Sequence, residues 1–221
     1  MTDLAIFDLD DTLLDGDSDY AWGQYVIAQG WVDRPAYEQK NRYFMDQYAA
    51  GNLDIHEYIA FICQPLLDKS LAVLQQVRTQ YINDTVKPML TKGAQDLIQR
   101  HREQEHYCLI ITATNSLITE PLPRVLGVDH LLGTDLEVID GHVTGRIQGT
   151  PCFQKGKVVR LRQWLAEQSI TFEQTYFYSD SHNDLPLLET VDYPHAVNPN
   201  DTLRQVAQDR HWPILNLRHN A

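Results

Sequence analysis

Leu4-Ala5-Ile6-Phe7-Asp8-Leu9-Asp10-Asp11-Thr12 is the stretch on which the reading of this chain turns. Four apolar residues run without interruption into Asp8, and Asp15-Gly16 supplies a turn signal soon afterwards. A short apolar run with such flanks reads as a buried strand. Its tip presents two carboxylates, Asp8 and Asp10, on alternate residues. In an open parallel sheet, ligands sit beyond the carboxyl ends of the strands, so this tip is the first place to look for chemistry.

Downstream of that tip, from about Ser18 to Thr85, the spacing is helical. Asp54 is a good N-cap, with Ile55, Tyr58, Ile59, Ile62 and Leu66 on one stripe. Pro65 is expected to bend or end that helix. Leu71, Leu74, Val77 and Tyr81 repeat the pattern after Ser70. Trp22, Tyr25 and Val26, then Tyr37, Phe44 and Tyr48, mark two more helices before Gly51. About four helices and no strand candidate fill this segment.

After Pro88 the pattern alternates. A helix carries Ala94, Leu97, Ile98 and His101, and a strand follows at Tyr107–Ile111. A helix is expected near Glu120–Leu126 and a β-hairpin over Thr134–Gly145, centred on Asp140-Gly141. Val158, Leu161 and Leu165 define another helix, and Tyr176–Tyr178, Ala196-Val197 and Ile214-Leu215 define later strands. Strands alternating with helices imply an α/β, Rossmann-like parallel sheet. The expected organisation is a core of 1–15 and 87–221, with 16–86 inserted as a helical unit between the first and second core strands.

Three expected strands end in reactive groups: Asp8 and Asp10, then Thr112, then Asp180 and Asp184. Lys155 and Lys157 open the helix before the third strand. A parallel sheet gathers such distant residues at one edge. Phosphoryl transfer needs a nucleophile, a proton donor for the leaving oxygen, and positive charge for the equatorial oxygens. Asp8 suits the first role, Asp10 the second, and a lysine the third. Clustered carboxylates also invite a hard cation with oxygen ligands, for which Mg²⁺ is the natural choice.

The motifs resemble those of the haloacid dehalogenase superfamily, whose members are mostly phosphatases. Phe7-Asp8-Leu9-Asp10-Asp11-Thr12 is similar to its first motif, Leu109–Thr112 to its second, Gly156-Lys157-Val158 to its third, and Tyr178–Asp184 to its fourth. The wording after motifs one and four is similar to the phosphoserine-phosphatase-like branch (subfamily IB), which has a helical cap between motifs one and two. The resemblance implies Asp8 as nucleophile and metal ligand, and Asp10 as acid/base with its main-chain carbonyl on the metal. It implies Thr112, Ala113 and Lys157 on phosphate, Asp180 on Mg²⁺, and Asn183 and Asp184 in support.

Taken singly, Asp180 and Asp184 would serve equally well as helix caps, and Thr112 as an ordinary strand-end hydroxyl. Their order and spacing together favour catalysis. Lys155 is expected to be solvated, His182 to lie in an exposed loop, and Cys152 to pack. His101 and His106, five apart, share no helical face and are poor metal ligands. A phosphotransferase or mutase using the same intermediate stays open. A phosphoacceptor module of the receiver type fits less well, because the nucleophile lies on the first strand.

The 221 residues carry a formal charge of −12, which argues against nucleic acid or an anionic membrane as partner. No apolar run is long enough to span a bilayer. Cys63, Cys108 and Cys152 are odd in number and widely spaced, so free thiols and a cytoplasmic setting are expected. The expected partner is a small phosphate ester. Asp17 and Asp19 are candidates to meet a cationic group on it. The resemblance implies a cap arginine for a carboxylate; Arg34 and Arg42 are candidates, with ordinary surface charge the favoured reading of each. Together these suggest amino-alcohol phosphates such as phosphoserine or histidinol phosphate. Which one, and the oligomeric state, the sequence leaves open.

Overall fold

A computed structural model describes residues 2–218. Its first strand, β1 (Thr2–Phe7), is central to a six-stranded sheet in which every neighbouring pair runs parallel. Leu4 through Phe7 are fully buried. Ala5 and Phe7 pack into one core and Leu4 and Ile6 into another, so the strand is covered on both faces. That double burial explains an apolar run with no polar alternation.

The helical segment follows. Helices α1 (Ser18–Ala28), α2 (Arg34–Ala49) and α3 (Ile55–Cys63) are capped by the carboxylates of Asp17, Asp33 and Asp54, which accept from main-chain N–H groups in the first turn. Pro65 falls in a single 3₁₀ turn that ends α3. Helix α4 (Leu71–Tyr81) continues through a π-helical turn, Ile82–Val86, into the short α5 (Lys87–Met89). The chain segments leading into and out of the insertion lie side by side: Leu14 makes an isolated bridge with Leu90, and Asp15 N–H donates to the Met89 carbonyl at 2.8 Å.

The chain then returns to the sheet through α6 (Lys92–Glu103) and β2 (Tyr107–Asn115), which is longer than its apolar run suggests. The helix expected near Glu120–Leu126 is two short helices, α7 (Ser116–Thr119) and α8 (Leu122–Leu126). The hairpin expected over Thr134–Gly145 forms and turns at Asp140-Gly141, with its bounds shifted by two residues. Thr134 ends an edge strand, β3 (His130–Thr134), parallel to β2, and the hairpin is β4 (Leu136–Ile139) with β5 (His142–Ile147). Only two strong apolar residues, Leu131 and Leu132, mark β3, too few to signal a strand.

Helix α9 (Lys155–Glu167), β6 (Phe172–Ser179), α10 (Leu185–Leu188), β7 (Tyr193–Val197), α11 (Asp201–Asp209) and β8 (Ile214–Leu215) complete the fold. The strand order is β3-β2-β1-β6-β7-β8. The sheet therefore grows in both directions from β1, and the ends of β1, β2 and β6 lie side by side. Among the described residues no helix is long and apolar enough to cross a membrane, and Cys63, Cys108 and Cys152 are free and buried.

Candidate active site

The carboxyl ends of β1, β2 and β6 bring together the residues singled out from the sequence. Asp8 follows the last residue of β1 and is 4% exposed. The Nζ of Lys157 donates to Asp8 Oδ1 at 3.0 Å and to Asp184 Oδ2 at 2.7 Å, and all three side chains are out of solvent. Ser179, the last residue of β6, adds a hydroxyl donor to the same Asp184 oxygen at 2.7 Å. Lys155, by contrast, is exposed.

Lys157 reaches Asp8 because α9 begins close against the loop before it. A Cβ on Gly156 would lie 2.0 Å from the Pro151 carbonyl oxygen, so only glycine allows that approach.

Asp10 is held differently. Its Oδ1 accepts from the Ser18 N–H and its Oδ2 from the Thr114 hydroxyl, each at 2.6 Å. Thr112 is 1% exposed, and its Oγ1 accepts from the Thr114 N–H at 3.1 Å, leaving the hydroxyl proton to donate elsewhere. Thr12 braces Asp180: its Oγ1 accepts from the Asp180 N–H at 3.0 Å and lies 3.2 Å from Asp180 Oδ1 as donor. These bonds orient the carboxylates before any ligand arrives.

The electrostatics are dominated by crowded negative charge. Burial raises the Asp8 pKa; Lys157 opposes this, while Asp184 and Asp10 add to it. Burial also raises Asp10, against the bonds from Ser18 and Thr114. Asp180 is pushed well up by burial, then by Asp8 and Asp11. For Lys157, burial works downward, but Asp184 and Asp8 outweigh it and leave the ammonium harder to deprotonate. One buried cation thus faces several buried carboxylates. Surplus negative charge on an all-oxygen donor set fits a hard divalent cation. Among the described residues no three acidic, histidine or cysteine side chains form a ready-made metal cage. Mg²⁺ does not need one, since it keeps waters and uses few carboxylates.

The family model for haloacid dehalogenase-like hydrolases matches residues 5–189, which spans every one of these positions. The chain belongs to that family. A histidinol-phosphatase of Neisseria meningitidis serogroup C is 41% identical over 222 residues, covering 99% of this chain and 100% of the relative. A probable phosphatase of Mycobacterium tuberculosis is 31% identical over 215 residues, covering 96% of this chain and 74% of the relative. A crystal structure of a protein of unknown function from Bordetella pertussis superposes with a TM-score of 0.91 at 42% identity, covering 98% and 100% of the two chains. Substrate-bound phosphoserine phosphatase shares the fold, with a TM-score of 0.71 at 16% identity, covering 100% of this chain and 95% of that one.

In this family member the helical segment roofs the carboxylates. A cavity of about 40 Å³ has Asp8, Asp10, Thr112, Ala113 and Thr114 on its floor and Asp17 and Asp19 on its side. Phe44, Met45 and Tyr48 of α2, with Leu53, Ile55 and Tyr58, close it from above. That space has room for a few waters and is smaller than a phosphate ester. Asp19 is 6% exposed, and its Oδ1 accepts from Asn115 Nδ2 at 3.0 Å. Burial, Asp17 and Asp10 raise its pKa well above the usual carboxylate range. Asp17, raised to about 7 by burial and then Asp10, accepts from the Tyr20 N–H.

The cavity lining contains no lysine or arginine, which corrects the expectation for Arg42. On α2, Tyr37, Asn41, Phe44 and Tyr48 form the inward stripe; Arg42 lies off it and is exposed. Arg34 is exposed too, paired with Glu38 at 3.1 Å. His182 is half-buried in a 3₁₀ turn, with Nδ1 3.0 Å from Asn200 Nδ2, rather than in an exposed loop. His101 and His106 do meet, Nδ1 to Nδ1 at 2.9 Å, because the chain turns back after α6; His101 Nε2 lies 2.8 Å from the Tyr178 hydroxyl.

Thr12, Thr114, Asn115, Tyr48 and Tyr58 have site contacts that no sequence role anticipated. The polar run Thr112-Ala113-Thr114-Asn115 after an apolar strand was the available signal for two of them. Nothing in local sequence marked the aromatic roof beyond helical periodicity.

Proposed function

We propose that the chain is a magnesium-dependent phosphatase that hydrolyses a small phosphomonoester through an aspartyl-phosphate on Asp8. The observation behind this is the convergence of Asp8, Asp10, Thr112, Lys157 and Asp180 at the edge of one sheet, beneath a closed roof. An Asp8 carboxylate oxygen attacks phosphorus, and the bond from phosphorus to the ester oxygen breaks. Asp10, held at both oxygens and unable to swing away, gives its proton to that departing oxygen. Water then attacks the phosphorus of the acyl phosphate and Asp10 takes its proton, which frees Asp8 and inorganic phosphate. The Thr112 hydroxyl, the Ala113 N–H and the Lys157 ammonium bind the non-bridging oxygens.

The Asp8 and Asp180 carboxylates and the Asp10 main-chain carbonyl would hold Mg²⁺, with Asn183 and Asp184 in support. When bound, the ion neutralises the phosphate dianion against the Asp8 carboxylate. The helical segment 16–86 acts as a cap, and the cytoplasmic setting is part of the same proposal.

Asp17 and Asp19 beside the phosphate position, with no basic residue in the lining, favour a substrate with a cationic group and no carboxylate. Histidinol phosphate meets that description better than phosphoserine. The histidinol-phosphatase of Neisseria, similar over nearly the whole chain, supports this choice.

The test is Asp8→Asn assayed on p-nitrophenyl phosphate with Mg²⁺. Turnover should vanish while the melting temperature holds or rises, since one buried like charge is removed. Chelation should abolish activity in the parent chain and added Mg²⁺ restore it. Undiminished turnover by the variant would remove the mechanism. Transfer of phosphate to an added alcohol in preference to water would make the chain a phosphotransferase.

A further inference from the structure

Gln154 precedes α9 with φ 47° and ψ −122°, a conformation open to glycine and unfavourable for a residue with a Cβ. Strain of this kind persists where the surroundings over-determine it. Here the surroundings lie across the boundary between roof and core. Gln154 Nε2 donates to the Gly51 carbonyl at 3.2 Å and to Asn183 Oδ1 at 3.0 Å. Asn183 Nδ2 in turn donates to the Tyr48 carbonyl at 3.0 Å.

Each partner has a reason to be there. Helix α2 ends at Ala49, and a helix end leaves carbonyls without helical donors. At this corner the Tyr48 carbonyl, which also accepts from the Gly51 N–H at 3.0 Å, and the Gly51 carbonyl, two residues past the end of the helix, each take a side-chain amide from the core. Gly51 has φ 73°, and a Cβ on it would lie 3.0 Å from His182 Nε2, so the corner is shaped to sit on the loop bearing Asn183. Asn183 itself is 3% exposed and stands between Asp180 and Asp184. Tyr48 lines the cavity.

We infer that Gln154 is a positioning residue: it ties docking of the α2 corner to the orientation of Asn183 beside the reacting groups. The inference rests on the phosphatase reading above. With the corner docked, the Asn183 amide is held at both ends. With the corner lifted, Gln154 loses Gly51 and Asn183 loses Tyr48, so the amide is free to turn. The strained backbone is what aims the Gln154 amide across the gap.

Two variants test this. Gln154→Gly relieves the backbone and removes the amide. Gln154→Glu keeps the length but presents a carboxylate, which cannot donate, to two carbonyl oxygens. For Gln154→Gly the melting temperature should hold or rise while KM for histidinol phosphate increases about 10-fold, with kcat less affected. Gln154→Glu should show a similar KM increase without the gain in stability. In both, deuterium uptake by the peptide spanning 47–53 should quicken by about 3-fold or more. A packing role alone would instead lower the melting temperature of the glycine variant and leave that uptake unchanged.

If the parent turns over only p-nitrophenyl phosphate, the KM comparison is made with that ester. KM within about 2-fold of the parent in both variants overturns the inference, whether or not uptake changes. If the parent turns over neither ester, the phosphatase reading fails by itself. Uptake at 47–53 then decides the docking contact, and unchanged uptake overturns it.

Discussion

Replacing Lys157 by Met is the most informative single perturbation of this site. The lysine is 2% exposed and lies 3.0 Å from Asp8 and 2.7 Å from Asp184, themselves 4% and 1% exposed. Met fills nearly the same volume, so the change is in charge rather than packing. Asp8 and Asp184 would then face each other with no cation between them. Removing one partner of a buried ion pair costs about 3–5 kcal/mol, because the remaining charge stays desolvated. At about 2–4 °C per kcal/mol for a chain of this size, the melting temperature should fall by about 6–20 °C.

Adding Asp184→Asn to Lys157→Met removes half of the stranded charge and should restore a substantial part of that loss. It should restore no activity, because the phosphoryl group still lacks its fixed cation. Melts followed by circular dichroism, with p-nitrophenyl phosphate turnover on the same samples, give both readings. A drop of less than about 3 °C for Lys157→Met would refute the claim that this ammonium is what keeps the two carboxylates buried. So would a double variant that melts below the single one.

Three further outcomes are expected. Asp19→Asn should weaken discrimination for histidinol phosphate over an uncharged alkyl phosphate by about 10-fold, seen in the ratio of kcat/KM values; an unchanged ratio removes Asp19 from substrate recognition. Gly156→Ala forces a Cβ to 2.0 Å from the Pro151 carbonyl, so the start of α9 must shift, and both thermal stability and turnover should fall; retention of both would show that the loop yields easily. His101 has its pKa lowered to about 4 by burial, then by His106 and His195. The unfolded chain therefore takes up a proton that the folded chain refuses as pH falls from about 6.5 to 4, and stability should drop over that window. Urea titrations of His101→Gln, whose amide can still hydrogen-bond the Tyr178 hydroxyl, should show a flatter pH dependence; an identical slope would assign the acid sensitivity elsewhere.

Much of this molecule is written in its local sequence. The apolar run into Asp8, the apolar strand into Thr112 and the aromatic strand into Ser179-Asp180 each announce a strand with a reactive tip. The helical stripes at Ile55–Leu66 and Leu71–Tyr81 announce the insertion. These features are legible because burial on two sheet faces, or on one helix face, imposes a period on neighbouring residues. Edge strand β3 escaped because an edge strand need not be continuously apolar. Helix α11 escaped because its burial rests on little more than Leu203 and Ala207.

By itself, then, the sequence determined which reactive side chains stand at strand ends, and in what order along the chain. Only the tertiary structure decided which of two lysines turns inward, that Arg42 faces solvent, and that Thr114, Asn115 and Gln154 hold the groups around them. The reason is physical. A strand or helix is specified by neighbours a few residues away, whereas the Lys157–Asp8 pair joins residues 149 positions apart. Contacts of that range leave no periodic trace, and they exist only once the sheet has brought its strand ends together.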